Sequence, residues 1–268
     1  MNILEQFSFE NGTIIQGLTN ELNAFYVLEC FHRLQNNVLV VTSSLYEANH
    51  IYNSLETYTD KVLLFPMDDF LTSVAVAISP ELQMKRLETL ERIASGTWIV
   101  VTNLTGYLRF LPNKQKKDLL KVTLKTNDNI GRDKLHEVLE QFGYKQDSIV
   151  TSTGEYAVRG FVLDIFPMYE DHPIRIEFFG NEIESIRYFD ESNQLSLSIL
   201  EECVIHPYQE MITEEKSSLY EFLNFPIVIF KNYHQIEASN EKLEEDIFQY
   251  QISKEEKEKK YMFSWNEI

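Results

Sequence analysis

Two continuous apolar runs, separated by a stretch in which apolar residues recur every three or four positions, set the pattern of the first third of the chain. Asn37–Thr42 (NVLVVT) is unbroken in the way of a strand buried on both faces. Ser44–Tyr58 then puts Leu45, Ala48, Ile51, Tyr52 and Leu55 on one side of a helix. Lys61–Pro66 (KVLLFP) predicts a second strand and Trp98–Thr102 (WIVVT) a third. Between them Pro80–Ser95 is predicted helical, with proline in its first turn and Ser79 as its cap. Gly106–Leu111 predicts a short helix leading off the third strand. This strand–helix rhythm over residues 1–112 predicts an open α/β sheet of parallel strands.

The rhythm changes at a polar, basic crossing, Asn113–Lys117. Leu119–Leu124 predicts a strand, and Arg132–Phe142 a helix with Leu135, Val138, Leu139 and Phe142 on one side, stopped by Gly143. Strand signals then crowd into Ser152–Asp190. Glu155–Val158 and Gly160–Phe166 read as one extended run with a bulge or bend at Arg159-Gly160. In Pro173–Phe179 (PIRIEFF) alternation buries Ile174, Ile176 and Phe178 and turns Arg175, Glu177 and Phe179 to the other face. One helix followed by adjacent strands predicts a mostly antiparallel α+β domain, helix on one face and the other face open to a partner.

Leu195–Pro207 returns the chain to its first part. Pro226–Phe230 (PIVIF) predicts a buried strand, and Glu237–Tyr250 a charged helix with Leu243, Ile247 and Tyr250 inward. Ser253–Lys260 reads as a solvated helix face and Tyr261–Trp265 as a closing apolar element. The expected organisation is one domain of residues 1–112 plus 208–268, with a second, 113–207, inserted in it.

An aromatic beside an arginine on the wet face of a strand does little for solubility, and both residue types anchor protein interfaces. If the run around Arg159 pairs with Ile174–Phe179, Arg159 joins Arg175 and Phe179. The competing reading pairs Arg159 and Arg175 with Glu177, Glu182 or Glu184, contacts worth about 0–1 kcal/mol each.

Charge narrows the function classes. The 268 residues carry a net charge of −18, with a pI near 4.7, which repels nucleic-acid backbones on average. The nearest basic cluster is Lys114, Lys116, Lys117 and Lys121. Cys30 and Cys203 belong to no motif and are expected as buried free thiols, pointing to the cytoplasm. The start, MNILEQFSFENG, has no signal-peptide pattern, and no apolar run approaches the roughly 18 residues that span a membrane. Histidines at 32, 50, 136, 172, 206 and 234 fall in no zinc-binding spacing. Asp68-Asp69 with Glu81 is the kind of acidic grouping that 42 carboxylates produce by chance, and no G-x-S-x-G elbow is present. No metal or cofactor is expected.

GEYAVRGFVLDIFP followed by PIRIEFFGNEIESIRYFD resembles the second domain of the transcription-repair coupling factors (Mfd) and of the related excision-nuclease subunit UvrB. The resemblance implies a docking surface for the ATPase UvrA, with the family's two arginines and aromatic falling on Arg159, Arg175 and Phe179. Substitution of Arg175 or Phe179 is then expected to weaken UvrA binding and leave melting unchanged. It also implies that another part of a longer protein can mask this face.

For the first domain the resemblance implies a P-loop NTPase-like, RecA-type sheet whose nucleotide site has decayed. Gly17 aligns with the first glycine of the phosphate loop, but the second glycine, the lysine and the hydroxyl are Leu22, Asn23 and Ala24. The Walker B acid and its neighbour are Lys231 and Asn232, poor company for Mg²⁺. His234, which a helicase motif would use, has no carboxylate beside it in sequence. The short Asp68–Pro80 segment lacks the tyrosines of UvrB's DNA-gripping hairpin. The resemblance thus implies a non-catalytic, UvrA-recruiting fragment. RNA polymerase, double-stranded DNA and the ATP-driven translocase belong to C-terminal parts that such proteins carry beyond these residues. The alternatives are a UvrB-like ATP-dependent enzyme and direct DNA binding.

Overall fold

The computed structural model describes residues 8–68, 79–114, 121–208, 214–255 and 259–268. Asp69 with most of the Asp68–Pro80 segment, Lys116, Lys117, the start of the Leu119–Leu124 strand and the centre of the Ser253–Lys260 run lie outside the described residues. The chain divides into two compact units, Met1–Leu111 with Lys216–Ile268, and Pro112–Glu215.

The first stretch runs α1 (Asn20–Leu34), β1 (Val38–Thr42), α2 (Leu45–Glu56), β2 (Val62–Phe65), α3 (Pro80–Ile93), β3 (Ile99–Asn103), α4 (Leu104–Tyr107) and β4 (Leu111–Pro112). The middle runs β5 (Val122–Lys125), α5 (Arg132–Gln141), β6 (Lys145–Gln146), β7 (Glu155–Arg159), β8 (Val162–Ile165), β9 (Ile174–Phe179), β10 (Glu182–Phe189), β11 (Ser196–Leu200) and β12 (Glu202–Ile205). The last runs β13 (Lys216–Ser217), α6 (Leu219–Phe222), β14 (Ile227–Phe230) and α7 (Tyr233–Lys254), and ends in a 3₁₀ turn at Trp265–Glu267.

In the first unit four parallel strands lie in the order β14-β1-β3-β2. The two central strands are buried at every residue, as their unbroken apolar sequences require. β14 takes an edge and is only half-buried along its length, so the fully buried strand expected at Pro226–Phe230 is corrected. The edge position alone does not account for this, because β2 holds the other edge of the sheet and is buried at every residue. Thr19 and Ser44 cap α1 and α2, their hydroxyls accepting from the N–H of Leu22 and of Glu47. Ser79 precedes α3 without a capping bond, and Pro80 starts that helix.

The short helix begins at Leu104, ahead of the expected Gly106. A side chain on Gly106 would meet Thr102 Oγ1 at 2.3 Å and the Phe65 carbonyl at 3.2 Å, so the glycine lets the helix lie tight against the strand ends. Both tryptophans sit in this unit. Trp98 is buried between Lys61 and Arg92, whose cationic groups stand 4.6 and 4.7 Å from its ring. Trp265 packs on Phe230, Tyr107 and Tyr233 at 5.1, 5.8 and 6.3 Å.

In the second unit six strands form one sheet in the order β11-β10-β9-β8-β7-β6. Every pairing is antiparallel except β6 with β7. Leu135 and Leu139 from α5, and Phe142 just after it, share a core with Leu163, Ile165, Ile174, Ile176, Phe178, Ile183 and Ile186 from the inner face of the sheet. β5 and β12 pair antiparallel and add Leu124, Cys203 and Ile205 to it. Gly143, with φ +80°, ends the α5 region in the left-handed conformation that glycine tolerates.

The extended run expected from Glu155 to Phe166 is instead a tight hairpin. Arg159 pairs with Val162 across a two-residue turn, Gly160-Phe161, and Gly160 has φ +57°. A positive φ at glycine suits a two-residue hairpin turn, where the sequence alone predicts a bulge or bend. Cys30 and Cys203 are free and buried, and burial pushes their thiols up to about 11 and about 12. No helix among the described residues is long and apolar enough to cross a membrane.

Candidate functional site

Strand register brings the sequence-marked residues together on the sheet face away from α5. One row crosses five strands: Ala157, Asp164, Arg175, Arg187 and Ile199 stand opposite one another in turn. The next row holds Arg159, Val162, Glu177 and Ser185. Phe179 follows, paired with Glu182 at the start of the β9–β10 turn. The alternation read in PIRIEFF is present, with Ile174, Ile176 and Phe178 buried and the intervening residues on the outer face.

Two carboxylates organise this face. Asp164 is fully buried. Its Oδ1 accepts from Arg175 Nε at 2.7 Å and its Oδ2 from Arg175 Nη2 at 2.9 Å, a bidentate pair. Arg159 Nη2 also donates to Asp164 Oδ2. Arg175 further donates to the Gln194 carbonyl at 3.3 Å and its Oε1 at 3.2 Å, and lies over the Phe189 ring at 4.4 Å. Its side chain is 14% exposed. Phe189 belongs to a small apolar cluster with Val150, Ala157 and Phe166.

Glu177 is the second organiser. Arg187 Nη1 donates to its Oε2 at 2.7 Å and Ser185 Oγ at 2.8 Å, and Arg187 Nη2 donates to its Oε1. The Arg187 bond holds the Glu177 carboxyl below its ordinary value, and Glu177 in turn raises Arg187.

Neither Arg159 nor Arg175 therefore pairs with Glu177, Glu182 or Glu184, as the competing sequence reading had it. The missed partner was Asp164, in VLDIF. Its signal was a charge set between apolar strand positions, with nothing in the sequence to say what covers it. Phe179 is 78% exposed. Arg159 is 45% exposed, and its Nε and Nη1 make no hydrogen bond among the described residues. Arg175 is different. A carboxylate buried beside it would lose its main partner on substitution, so unchanged melting is no longer the expectation for Arg175.

Of the residues aligned with a nucleotide site, Gly17 has φ +81° and precedes α1. Asn23 is half-buried on that helix and Ala24 is buried in the core. The Lys231 N–H donates to the Val41 carbonyl at 2.9 Å, continuing β14 alongside β1. The Asn232 amide donates to Glu47 Oε1 at 3.1 Å. No hydrogen bond joins Asn23 to Lys231 or Asn232 among the described residues. His234 is fully exposed beside Glu237.

The UvrB interaction domain family matches residues 122–211. A transcription-repair-coupling factor of Bacillus subtilis (strain 168) is 29% identical over 213 residues, 78% of this chain and 18% of that relative. One from Staphylococcus aureus (strain bovine RF122 / ET3-1) is 31% identical over 216 residues, 79% of this chain and 18% of that relative. The chain thus spans about a fifth of the length of the curated relatives it matches. Residues 122–211 are thus similar to the UvrB interaction domain family, and most of the chain is similar to the N-terminal, UvrB-homologous region of transcription-repair-coupling factors.

Proposed function

We propose that this chain is a non-catalytic docking module that recruits UvrA, as part of a transcription-repair coupling factor linking stalled RNA polymerase to nucleotide excision repair. The observation that carries this reading is an exposed phenylalanine and a partly uncommitted arginine, Phe179 and Arg159, on one outer sheet face of a UvrB interaction domain. Phe179 would fill an apolar pocket on UvrA, and the guanidinium would meet a carboxylate there. Contacts with polymerase and DNA belong, on this reading, to other parts of the longer protein, which works in the cytoplasm. Residues 113–207 are the UvrA-binding domain. Residues 1–112 and 208–268 form a degenerate, RecA-type P-loop fold that supports it without cofactor.

Calorimetric titration of the purified chain into UvrA tests the reading. Saturable binding that is lost in Phe179→Ala supports it, and no heat from the wild-type chain removes it.

One observation favours a second reading, a UvrB-like ATP-dependent enzyme: the four-stranded parallel sheet is of the kind that binds nucleotides at its carboxyl edge. Leu22, Asn23 and Ala24 oppose it, since they stand where the loop glycine, lysine and hydroxyl would be, and Lys231 and Asn232 stand where the acids that serve Mg²⁺ would be. A ligand that binds only the folded chain raises its melting temperature by mass action. A shift with millimolar Mg-ATP would therefore favour the enzyme.

A further inference from the structure

We infer that the two arginines of the docking face have different tasks, and that Asp164 is the positioning residue between them. Arg175 fixes Asp164, and Asp164 fixes Arg159, which alone of the two offers its donors to a partner carboxylate. The inference rests on the docking reading above.

Commitment of donors carries it. A guanidinium has five N–H groups. Arg175 spends Nε and Nη2 on both oxygens of Asp164, and Nη1 and Nη2 on Gln194, with its plane against Phe189. A carboxylate from outside could take this fork only by displacing Asp164, which is buried from solvent and would be stranded. Arg159 gives Asp164 one contact, through Nη2, and its Nε and Nη1 make none among the described residues.

The arrangement also explains why a carboxylate is buried on the outer face of a sheet. A lone arginine at the end of β7 would sample many rotamers, and ordering it on binding opposes association. A carboxylate already clamped by Arg175 holds Arg159 in place beforehand. The register allows this, because Asp164 is directly opposite Arg175 and one row from Arg159. Three guanidiniums, Arg159, Arg175 and Arg187, share the face with three carboxylates, Asp164, Glu177 and, opposite Phe179, Glu182, so the patch is near neutral on a chain of charge −18, and Arg159 is its cation with donors to spare among the described residues. The fitting partner surface is an Asp or Glu side chain beside an apolar pocket for Phe179.

The test is calorimetry of the full chain with UvrA for the wild type, Phe179→Ala, Arg159→Ala, Asp164→Asn and the Arg159→Ala/Asp164→Asn pair, each checked for folding by far-ultraviolet circular dichroism. Asp164→Asn and Arg159→Ala are each expected to weaken binding about tenfold or more, and the double variant to bind no worse than Arg159→Ala alone. A purely structural role for Asp164 would instead add its loss to that of Arg159. Wild-type affinity in folded Asp164→Asn, or losses that multiply, overturns the inference. If Asp164→Asn does not fold, Arg175→Lys replaces it, because lysine cannot bridge both oxygens; wild-type affinity there overturns the inference equally. Binding that Phe179→Ala abolishes and Asp164→Asn leaves intact removes this inference and keeps the docking reading. A wild-type chain that does not bind removes both.

Discussion

Arg175 and Asp164 stand directly opposite each other on β9 and β8, and the arginine's Nε and Nη2 close on the two oxygens of a carboxylate with no access to water. An ion pair in that position behaves as part of the interior. Its geometry matters more to the fold than its charge matters to solvent, and it separates residues that shape the outer sheet face from residues that the proposed docking gives to the partner.

Arg175→Ala should therefore destabilise the second unit. Removing one member of a buried pair leaves an uncompensated charge, at a cost of about 3–5 kcal/mol. Arg159 keeps its contact with Asp164, which places the expectation at about 3 kcal/mol, the low end of that range. Urea unfolding followed by far-ultraviolet circular dichroism measures it.

Phe179→Ala should do the reverse. The ring is 78% exposed, so unfolding should change by no more than about 0.5 kcal/mol. Affinity for UvrA should fall by about 2 kcal/mol, the scale of an interface anchor. Equal affinities for variant and wild type would take Phe179 out of the interface.

Glu177 gives a pH signature. Its folded pKa lies below the ordinary value of 4.5, first because Arg187 hydrogen-bonds the ionised form. The stability this adds is fully present above pH 4.5 and is lost as pH falls through the folded value. Wild type should exceed Glu177→Gln in stability at neutral pH, and the two curves should converge in acid. Denaturant midpoints at a series of pH values from neutral downward provide the comparison.

Gly154 should not tolerate alanine. It has φ +89°, and an added Cβ would lie 2.4 Å from the Tyr208 ring. Overpacking costs about 1–3 kcal/mol and the left-handed backbone about 1–2 more. A loss of about 3 kcal/mol is expected in urea. A loss under 0.5 kcal/mol, the scale of an ordinary surface change, would mean that Tyr208 moves aside.

The sequence carried the elements better than the contacts between them. β1, β2 and β3 were legible because apolar runs of that length suit strands covered on both faces. The half-buried state of β14 was not, since its composition matches theirs. In PIRIEFF the alternation showed which residues turn outward. It could not show that Arg175 would fold down onto Asp164, because that contact depends on the register of β8 against β9, which no local pattern marks. The aromatic and the two arginines were visible as unusual choices, whereas Asp164 looked like one acid among 42.

The placement of the indoles decides which probe can follow these variants. Trp98, between its two cations, and Trp265, against Tyr107 and Phe230, are the only tryptophans in the sequence, and both belong to the first unit. Intrinsic emission on excitation near 295 nm therefore reports the parallel-sheet unit and is blind to the sheet that bears Phe179. A variant with its second unit melted and its first intact would still pass a fluorescence check, and its failure to bind would be mistaken for a lost contact.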